Sequence, residues 1–221
     1  MKTELVIFDM DGVIIDSEKM YFESSRLAAE ELGMQGFTQE YYRQFIGAGT
    51  ENMLKIMTHH YGDAALIERF NDLSVKKIKP IVEAGKLALK PGVKELLAYL
   101  KKNGIQFVLA SSNNKADILY YLAKLGVLDQ FELIISADDV NQAKPAPDIF
   151  NQAFAKAKTQ DKHKAVVIED SHNGILAANR AEIPVIMVPD QLKPGAFEKE
   201  HTTAILDSLL DVKEYLANLN S

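Results

Sequence analysis

The chain has 221 residues, 47% of them hydrophobic and 25% charged, which is the balance of a globular protein with a substantial core and excludes disordered and fibrous classes. Acidic residues outnumber basic ones by 31 to 25, so the net field repels nucleic acids and anionic membranes, and neither is an expected partner. Because the chain has no cysteine, it excludes disulfides, thiolate zinc sites and cysteine catalysis.

The first apolar run begins a few residues into the chain and is interrupted by Asp9, too early for the core of a signal peptide. No segment approaches the roughly 20 apolar residues of a membrane span. We therefore expect a soluble, cytoplasmic protein, and we expect it to act as a monomer.

The first predicted element is a buried strand from Leu5 to Phe8, and a long insertion follows it. No convincing strand appears again before Ile105, whereas an ordinary crossover between strands takes a single helix. The intervening residues have helical spacing instead, in segments at 17–32, 40–45, 51–61 and 63–82. The sequence therefore predicts a small all-helical domain over residues 16–86.

The remaining chain alternates between predicted helices and strands, starting with a turn at 90–92 and a helix over 93–102. Four apolar runs then predict buried strands, at Ile105 to Ala110, Leu133 to Ser136, Ala165 to Ile168 and Pro184 to Val188. Helical spacing lies between them, over 117–125 behind the predicted caps Asn113 and Asn114, and over 147–157. This crossover pattern indicates a parallel sheet, so residues 1–15 and 87–221 predict one α/β domain.

Polar residues follow these strands at the sheet edge where parallel sheets bind their ligands. They include Asp9 and Asp11, Ser111 and Ser112, Lys144, and Glu169 and Asp170. Asp9 and Asp11 could project on the same side while Gly12 lets the chain turn, so that one attacks a substrate and the other moves protons. A simple Asp-Gly turn is the alternative.

The serine pair could hold a phosphate group at a helix N-terminus, although helix capping explains Ser111 and Ser112 equally well. Lys144 precedes a proline that favours an extended backbone, so the lysine is either aimed from a stiff loop or simply solvated. Glu169 and Asp170 end a buried run, where unpaired carboxylates are costly, and Mg²⁺ is a natural counter-ion for them. Alternatively, Asp170 only caps the helix that follows.

Four motifs occur in order along the chain: Asp9-Met10-Asp11-Gly12-Val13, Ser111, Lys144-Pro145 and Glu169-Asp170-Ser171. With these motifs the chain resembles the haloacid dehalogenase superfamily over its whole length, and most closely the β-phosphoglucomutase-like sugar phosphatases. The resemblance implies an α/β fold, with a Rossmann-like parallel sheet flanked by helices and an inserted small all-helical cap domain.

The resemblance also implies roles for individual residues. Asp9 would be the nucleophile and Asp11 the general acid and base, while Ser111 and Lys144 would hold the phosphoryl group. Mg²⁺ would be bound by Asp9, Asp170 and the backbone carbonyl of Asp11. Glu169 would support the metal through water.

Two departures bear on the activity. Where β-phosphoglucomutase has a cap arginine that grips the second phosphate of its substrate, this chain has Ile46-Gly47-Ala48-Gly49-Thr50, and Tyr21 replaces a cap histidine. A neutral Thr50 cannot supply the charge-assisted grip that a bisphosphate intermediate needs, which favours simple hydrolysis. By the same resemblance, Lys77 would correspond to a substrate-facing cap lysine and contact the leaving group, although a surface lysine on a helix is the alternative.

The sequence therefore predicts a Mg²⁺-dependent phosphatase for a small phosphorylated metabolite, such as a sugar phosphate, that works through an aspartyl-phosphate intermediate. One alternative is an isomerase of the β-phosphoglucomutase type. A non-enzymatic phospho-accepting receiver also combines clustered aspartates, a hydroxyl and a lysine on a parallel sheet. The inserted domain and the length of the chain count against a receiver.

Overall fold

The computed structural model describes residues 2–46 and 49–220. Gly47 and Ala48, in the loop that stands where β-phosphoglucomutase has its cap arginine, therefore lie outside the described residues. The chain divides into two compact units, an α/β unit of Met1–Ile15 and Leu89–Ser221 and a helical unit of Asp16–Ala88. The second boundary predicted from the sequence, between residues 86 and 87, lies two residues before this division.

The α/β unit is built on a six-stranded sheet. The strands of the described chain are β1 Leu5–Phe8, β2 Ile15–Asp16, β3 Ala88–Leu89, β4 Gln106–Ala110, β5 Ile134–Ile135, β6 Ala165–Glu169, β7 Val185–Met187 and β8 Ala204–Ile205. The large sheet has the order β5-β4-β1-β6-β7-β8, and its strand pairs are parallel. Strands β2 and β3 pair separately, where the chain passes from one unit to the other.

The helices of the described chain alternate with these strands. They are α1 Glu18–Glu31, α2 Gln39–Arg43, α3 Thr50–Tyr61, α4 Ala64–Glu83, α5 Val93–Lys102, α6 Lys115–Lys124, α7 Asp148–Ala155, α8 His172–Arg180, α9 Ala196–His201 and α10 Leu209–Asn220. Each of the predicted helical segments overlaps one of them. No helix among residues 2–46 and 49–220 is both long and apolar enough to cross a membrane.

The register of the three central strands places the polar residues that follow them at one edge of the sheet. All four residues of β1 are fully buried, as expected for a central parallel strand covered on both faces. Phe8 pairs with Leu109 of β4 and Ile168 of β6, so the three strands end at the same level. The residues that follow them, Asp9, Ser111 and Asp170, therefore lie at one edge of the sheet.

Apolar side chains hold this sheet between helices. On one face, Leu5 and Ile7 of β1 belong to a buried cluster that includes Ile149 and Phe150 of α7 and Ile175 of α8. This close packing on the central strands restricts movement of the strand ends that carry the polar residues.

The helical unit has its own core. Ala28 of α1, Met57 of α3, and Ile67 and Phe70 of α4 are buried together, and aromatic side chains surround them. Asp63 begins α4 by accepting a hydrogen bond from the backbone N–H of Leu66 at 2.9 Å. The unit therefore has the apolar cluster that its sequence pattern predicts.

Two local predictions are corrected by the structure. Asn113 and Asn114 were both predicted to cap the helix after β4, and Asn114 is the cap, because its side chain accepts from the backbone N–H of Asp117 at 2.9 Å. Helix α6 accordingly starts at Lys115 rather than near residue 117. Strands β2, β3 and β8, of two residues each, were not predicted from the sequence.

Candidate active site

Three carboxylates meet at the carboxyl edge of β1 and β6. Asp9 follows β1, Glu169 is the last residue of β6 and Asp170 follows it, and one oxygen of each lies within 4.8 Å of the others. Glu169 is fully buried and Asp9 is 8% exposed. Such a cluster is stable only if cations or hydrogen-bond donors offset its charge.

Lys144 supplies one positive charge to this cluster. Its Nζ lies 2.5 Å from Asp9 Oδ1 and 2.7 Å from Glu169 Oε1, and 4.8 Å from the centre of the Phe150 ring. Burial acts to lower the pKa of Lys144, but the charges of Asp9 and Glu169 outweigh it and raise the pKa above its usual value. The lysine is therefore charged at neutral pH and links the ends of two strands. The peptide bond between Lys144 and Pro145 is cis.

One lysine does not balance the acidic charge. Burial, followed by the charges of Glu169 and Asp11, raises the pKa of Asp9 to about 7 even though Lys144 opposes the shift. Burial and the charges of Glu169 and Asp9 also raise the pKa of Asp170 well above its usual value. Both shifts mean that the protein alone does not stabilise all of these carboxylates in their ionised form.

The donor set fits a hard divalent cation such as Mg²⁺, which prefers carboxylate and carbonyl oxygens. The backbone also leaves space for the carboxylates. A Cβ atom at Gly12, where φ is +75°, would lie 2.2 Å from Asp170 Oδ2. Only a residue without a side chain at position 12 therefore allows Asp170 to reach the cluster in this conformation.

Glu169 is fixed by its surroundings more tightly than the other two carboxylates. Its Oε2 accepts hydrogen bonds from the backbone N–H of Asp170 at 2.9 Å and from the N–H and Oγ of Ser171 at 3.0 and 2.9 Å. Ser171 also caps α8 by accepting from the N–H of Gly174 at 3.1 Å. A Cβ atom at Gly174 would lie 1.7 Å from Glu169 Oε1, so this glycine gives the carboxylate its space.

Asp11 and Ser111 lie at the same edge of the sheet. Asn113 connects them, because its side-chain Nδ2 donates to Asp11 Oδ2 at 2.9 Å and its backbone N–H donates to Ser111 Oγ at 3.2 Å. Ser111 is fully buried at the end of β4, and Ser112 beside it is exposed. The first aspartate pair and the serine loop are thus brought together as predicted from the strand ends.

The other predicted substrate residues belong to the helical unit. Tyr21 is half-buried in α1, and Thr50 is the exposed first residue of α3. Lys77 lies in α4 and its Nζ is 2.6 Å from Glu31 Oε2, so its ammonium group forms an ion pair within the same unit. Their contact with a substrate stays a prediction.

Some residues around the cluster were not predicted from the sequence. Asp190 pairs with Lys90 at 2.6 Å and adds to the effect of burial in raising the pKa of Asp170. It comes shortly after β7, so the rule that polar residues follow strand ends could have found it. The contact of Asn113 with Asp11 and the packing of Gly174 against Glu169 have no comparable signal in the sequence.

Comparisons with known proteins point to the same chemistry. The sequence profile of the family described as "Haloacid dehalogenase-like hydrolase" matches residues 6–188. The Thermotoga maritima "Phosphorylated carbohydrates phosphatase" is 33% identical over 180 residues, covering 81% of this chain and 82% of that protein. The Drosophila melanogaster "Probable pseudouridine-5'-phosphatase" is 32% identical over 212 residues, and the match covers 94% of this chain and 90% of that protein.

A solved structure extends the likeness to the fold. The crystal structure of CbbY from Rhodobacter sphaeroides in complex with phosphate matches with a TM-score of 0.81 at 26% identity, over 95% of this chain and 96% of that one. The predicted fold class, a Rossmann-like parallel sheet flanked by helices, is confirmed. The chain belongs to the haloacid dehalogenase-like hydrolase family, as its motifs indicated, and is a phosphoric monoester hydrolase of that family.

Proposed function

We propose that the protein is a Mg²⁺-dependent phosphatase that hydrolyses a small sugar phosphate through a phosphoryl group carried on Asp9. The main support is Lys144, whose ammonium group lies between Asp9 and Glu169 beside a cluster with more carboxylates than cations. A buried nucleophilic carboxylate next to a fixed cation is what attack on an anionic phosphate requires.

In the first step, a carboxylate oxygen of Asp9 forms a bond to phosphorus while the bond from phosphorus to the ester oxygen breaks. Asp11 carries a proton and transfers it to that departing oxygen, which leaves as an alcohol. In the second step, Asp11 removes a proton from water as the water attacks phosphorus. The acyl phosphate breaks, releasing inorganic phosphate and the Asp9 carboxylate.

The charge repulsion between Asp9 and the phosphate has to be offset for this step to occur. Lys144 provides a fixed positive charge beside the attacking oxygen, and the phosphoryl oxygens would be held by the hydroxyl of Ser111 and by the hydroxyl and backbone N–H of Ser112. Asp9, Asp170 and the carbonyl of Asp11 would hold Mg²⁺, with Glu169 supporting it through water. The metal would neutralise charge on the transferring phosphoryl oxygens.

The proposed substrate class has two supports. Two relatives are named as phosphatases of phosphorylated carbohydrates and of pseudouridine 5'-phosphate, both of which carry phosphate on a sugar. The helical unit would act as a cap that closes over the site and limits access of water, with Tyr21, Thr50 and Lys77 as candidate substrate contacts. Because Thr50 is neutral, we propose hydrolysis rather than isomerisation.

A panel of phosphorylated metabolites, assayed for phosphate release with Mg²⁺ and with a chelator, tests this proposal. Asp9→Asn serves as the blank. We expect release from one or more sugar phosphates that depends on both the metal and Asp9. Release that persists equally in the chelator would contradict the metal requirement, and no release from any phosphate ester would contradict the phosphatase.

Isomerisation is tested with β-glucose 1-phosphate and a trace of glucose 1,6-bisphosphate. A phosphatase that accepts this sugar phosphate releases inorganic phosphate. Conversion to glucose 6-phosphate would instead support a mutase and contradict the argument from Thr50. A phosphate assay and a coupled glucose 6-phosphate assay on the same sample measure the two products independently.

A further inference from the structure

Asn113 occupies a position that its predicted role as a helix cap does not explain. Its backbone N–H donates to Ser111 Oγ at 3.2 Å, and its backbone carbonyl accepts from the N–H of Ala137 at 3.0 Å. Both backbone groups are therefore held by the loop after β4 and the turn after β5. With the main chain fixed on both sides, the side-chain amide is aimed at Asp11, 2.9 Å from Oδ2.

We propose that Asn113 is a positioning residue that holds Asp11 by one carboxylate oxygen and so dictates which oxygen exchanges the proton with the substrate. This inference rests on the proposed acid and base role of Asp11. The amide nitrogen of asparagine only donates hydrogen bonds, so the oxygen that it contacts has to be an acceptor. A protonated carboxyl group accepts better at its carbonyl oxygen than at its hydroxyl oxygen, so this contact favours Oδ1 as the oxygen that carries the proton.

The same contact restricts rotation of the carboxyl group. The last torsion of an aspartate side chain is broad, so each fixed hydrogen bond to the carboxyl group narrows its range of orientations. A general acid is effective only when its proton lies within hydrogen-bond reach of the departing oxygen. Losing the amide contact therefore lowers the fraction of molecules in which the proton of Asp11 points at the substrate, without removing the acid itself.

A leaving-group comparison tests this role. Benzyl phosphate has an alkyl leaving group that needs a proton, whereas p-nitrophenyl phosphate has one that departs readily as the anion. For Asn113→Ala we expect the single-turnover rate of leaving-group release to fall by about 10- to 100-fold with benzyl phosphate. The rate with p-nitrophenyl phosphate should change by less than about 3-fold, and KM should change little with either ester.

Asn114→Ala is the matched control, because it removes the same kind of side chain at the adjacent position. Asn114 caps α6 through Asp117, so this variant lowers the melting temperature but leaves both single-turnover rates unchanged. Asn113→Leu, similar in shape but without a donor, should reproduce Asn113→Ala. It also provides a second folded sample if the alanine variant melts too low.

A double mutant separates this inference from the proposed function. If Asn113 acts only through Asp11, then adding Asn113→Ala to Asp11→Asn causes no further loss with benzyl phosphate. Equal losses on both esters, a change confined to KM, or fully additive losses would overturn the positioning role while leaving Asp11 as the acid. A normal benzyl phosphate rate in Asp11→Asn alone would overturn the proposed function instead.

Discussion

At the carboxyl edge of the sheet, Lys144 is buried between Asp9 and Glu169, and its side chain is 7% exposed while that of Glu169 is 1% exposed. In the helical unit, Lys77 also pairs with a glutamate, but the side chain of Glu31 is 58% exposed. A solvent-exposed ion pair contributes at most about 1 kcal/mol to the free energy of unfolding, whereas breaking a buried ion pair costs several times more.

The contrast indicates that the two units have different tasks. Around Glu169, backbone N–H groups, a serine hydroxyl and Lys144 together fix one carboxylate, and the missing side chain of Gly174 gives that carboxylate its space. The helical unit has a well-packed apolar core, and among its candidate substrate residues Thr50 is exposed while Tyr21 and Lys77 are partly buried. The proposed function accordingly places the chemistry at this edge of the sheet and the selection of the substrate in the helical unit.

The largest expected effect is that of Asp9→Asn, which removes the nucleophile. We expect turnover, measured as phosphate release under saturating Mg²⁺, to fall by about 10⁴-fold or more. Glu31→Gln, the same kind of change in the helical unit, should keep turnover within about 2-fold. If acid quenching trapped the phosphoryl group on another residue, Asp9 would not be the nucleophile.

Gly174→Ala is expected to have the next largest effect, since the new Cβ atom would overlap the carboxylate of Glu169 at 1.7 Å. Displacing Glu169 should lower turnover by about 100-fold and the free energy of unfolding by about 1–3 kcal/mol. Denaturant titration and phosphate release on the same preparation measure both quantities.

Gly36→Ala is the control for the glycine at 174. Gly36 lies in the helical unit with φ +79°, and its Cβ would have no heavy atom within 4 Å. This change should cost about 1–2 kcal/mol in backbone strain but leave turnover unchanged. If both variants lost turnover in proportion to stability, Gly174 would have no specific link to the active site.

A pH effect of intermediate size follows from the raised pKa of Asp9, about 7 in the folded chain against 3.8 as its ordinary value. Between these values the folded, metal-free protein binds more protons than the unfolded chain, so its stability falls as the pH rises. Asp9→Asn removes this group and should make the stability of the metal-free protein less dependent on pH over that range.

Mg²⁺ is expected to oppose this pH effect, because it favours the ionised carboxylates. At pH 7 and above, adding Mg²⁺ to the wild-type protein should raise the melting temperature, and the increase should be smaller in Asp9→Asn. Thermal melts with Mg²⁺ and with a chelator measure the difference. Equal stabilisation of both proteins would place the metal away from Asp9.

The smallest effect is expected for the pair in the helical unit. Lys77→Met should change the free energy of unfolding by less than about 1 kcal/mol, because the pair is largely exposed on the side of Glu31. If Lys77 contacts the substrate, the variant raises KM by about 3- to 10-fold and keeps kcat. Glu31→Gln breaks the same ion pair and should leave KM unchanged, so equal KM values in both variants would exclude the contact.

Much of the α/β fold could be predicted from local patterns. The run Leu5 to Phe8 coincides with β1, and the helix over 93–102 coincides with α5. Both elements have strong signals, a continuous apolar stretch in one and regular apolar spacing with a terminal glycine in the other. The two-residue strand β8 had no such signal, because its pairing with β7 comes from the tertiary fold.

The sequence by itself determined the chemical groups and their order: carboxylates, a hydroxyl and a lysine after successive strands, in the pattern of one hydrolase family. Only the tertiary structure decided which groups touch. The parallel register of β1 and β6 brings Asp9 beside Glu169, and the loop after β4 turns the amide of Asn113 towards Asp11. The physical reason is that local propensity specifies strands and turns, whereas a contact such as that of Asn113 with Asp11, 102 positions apart, depends on how the whole sheet packs.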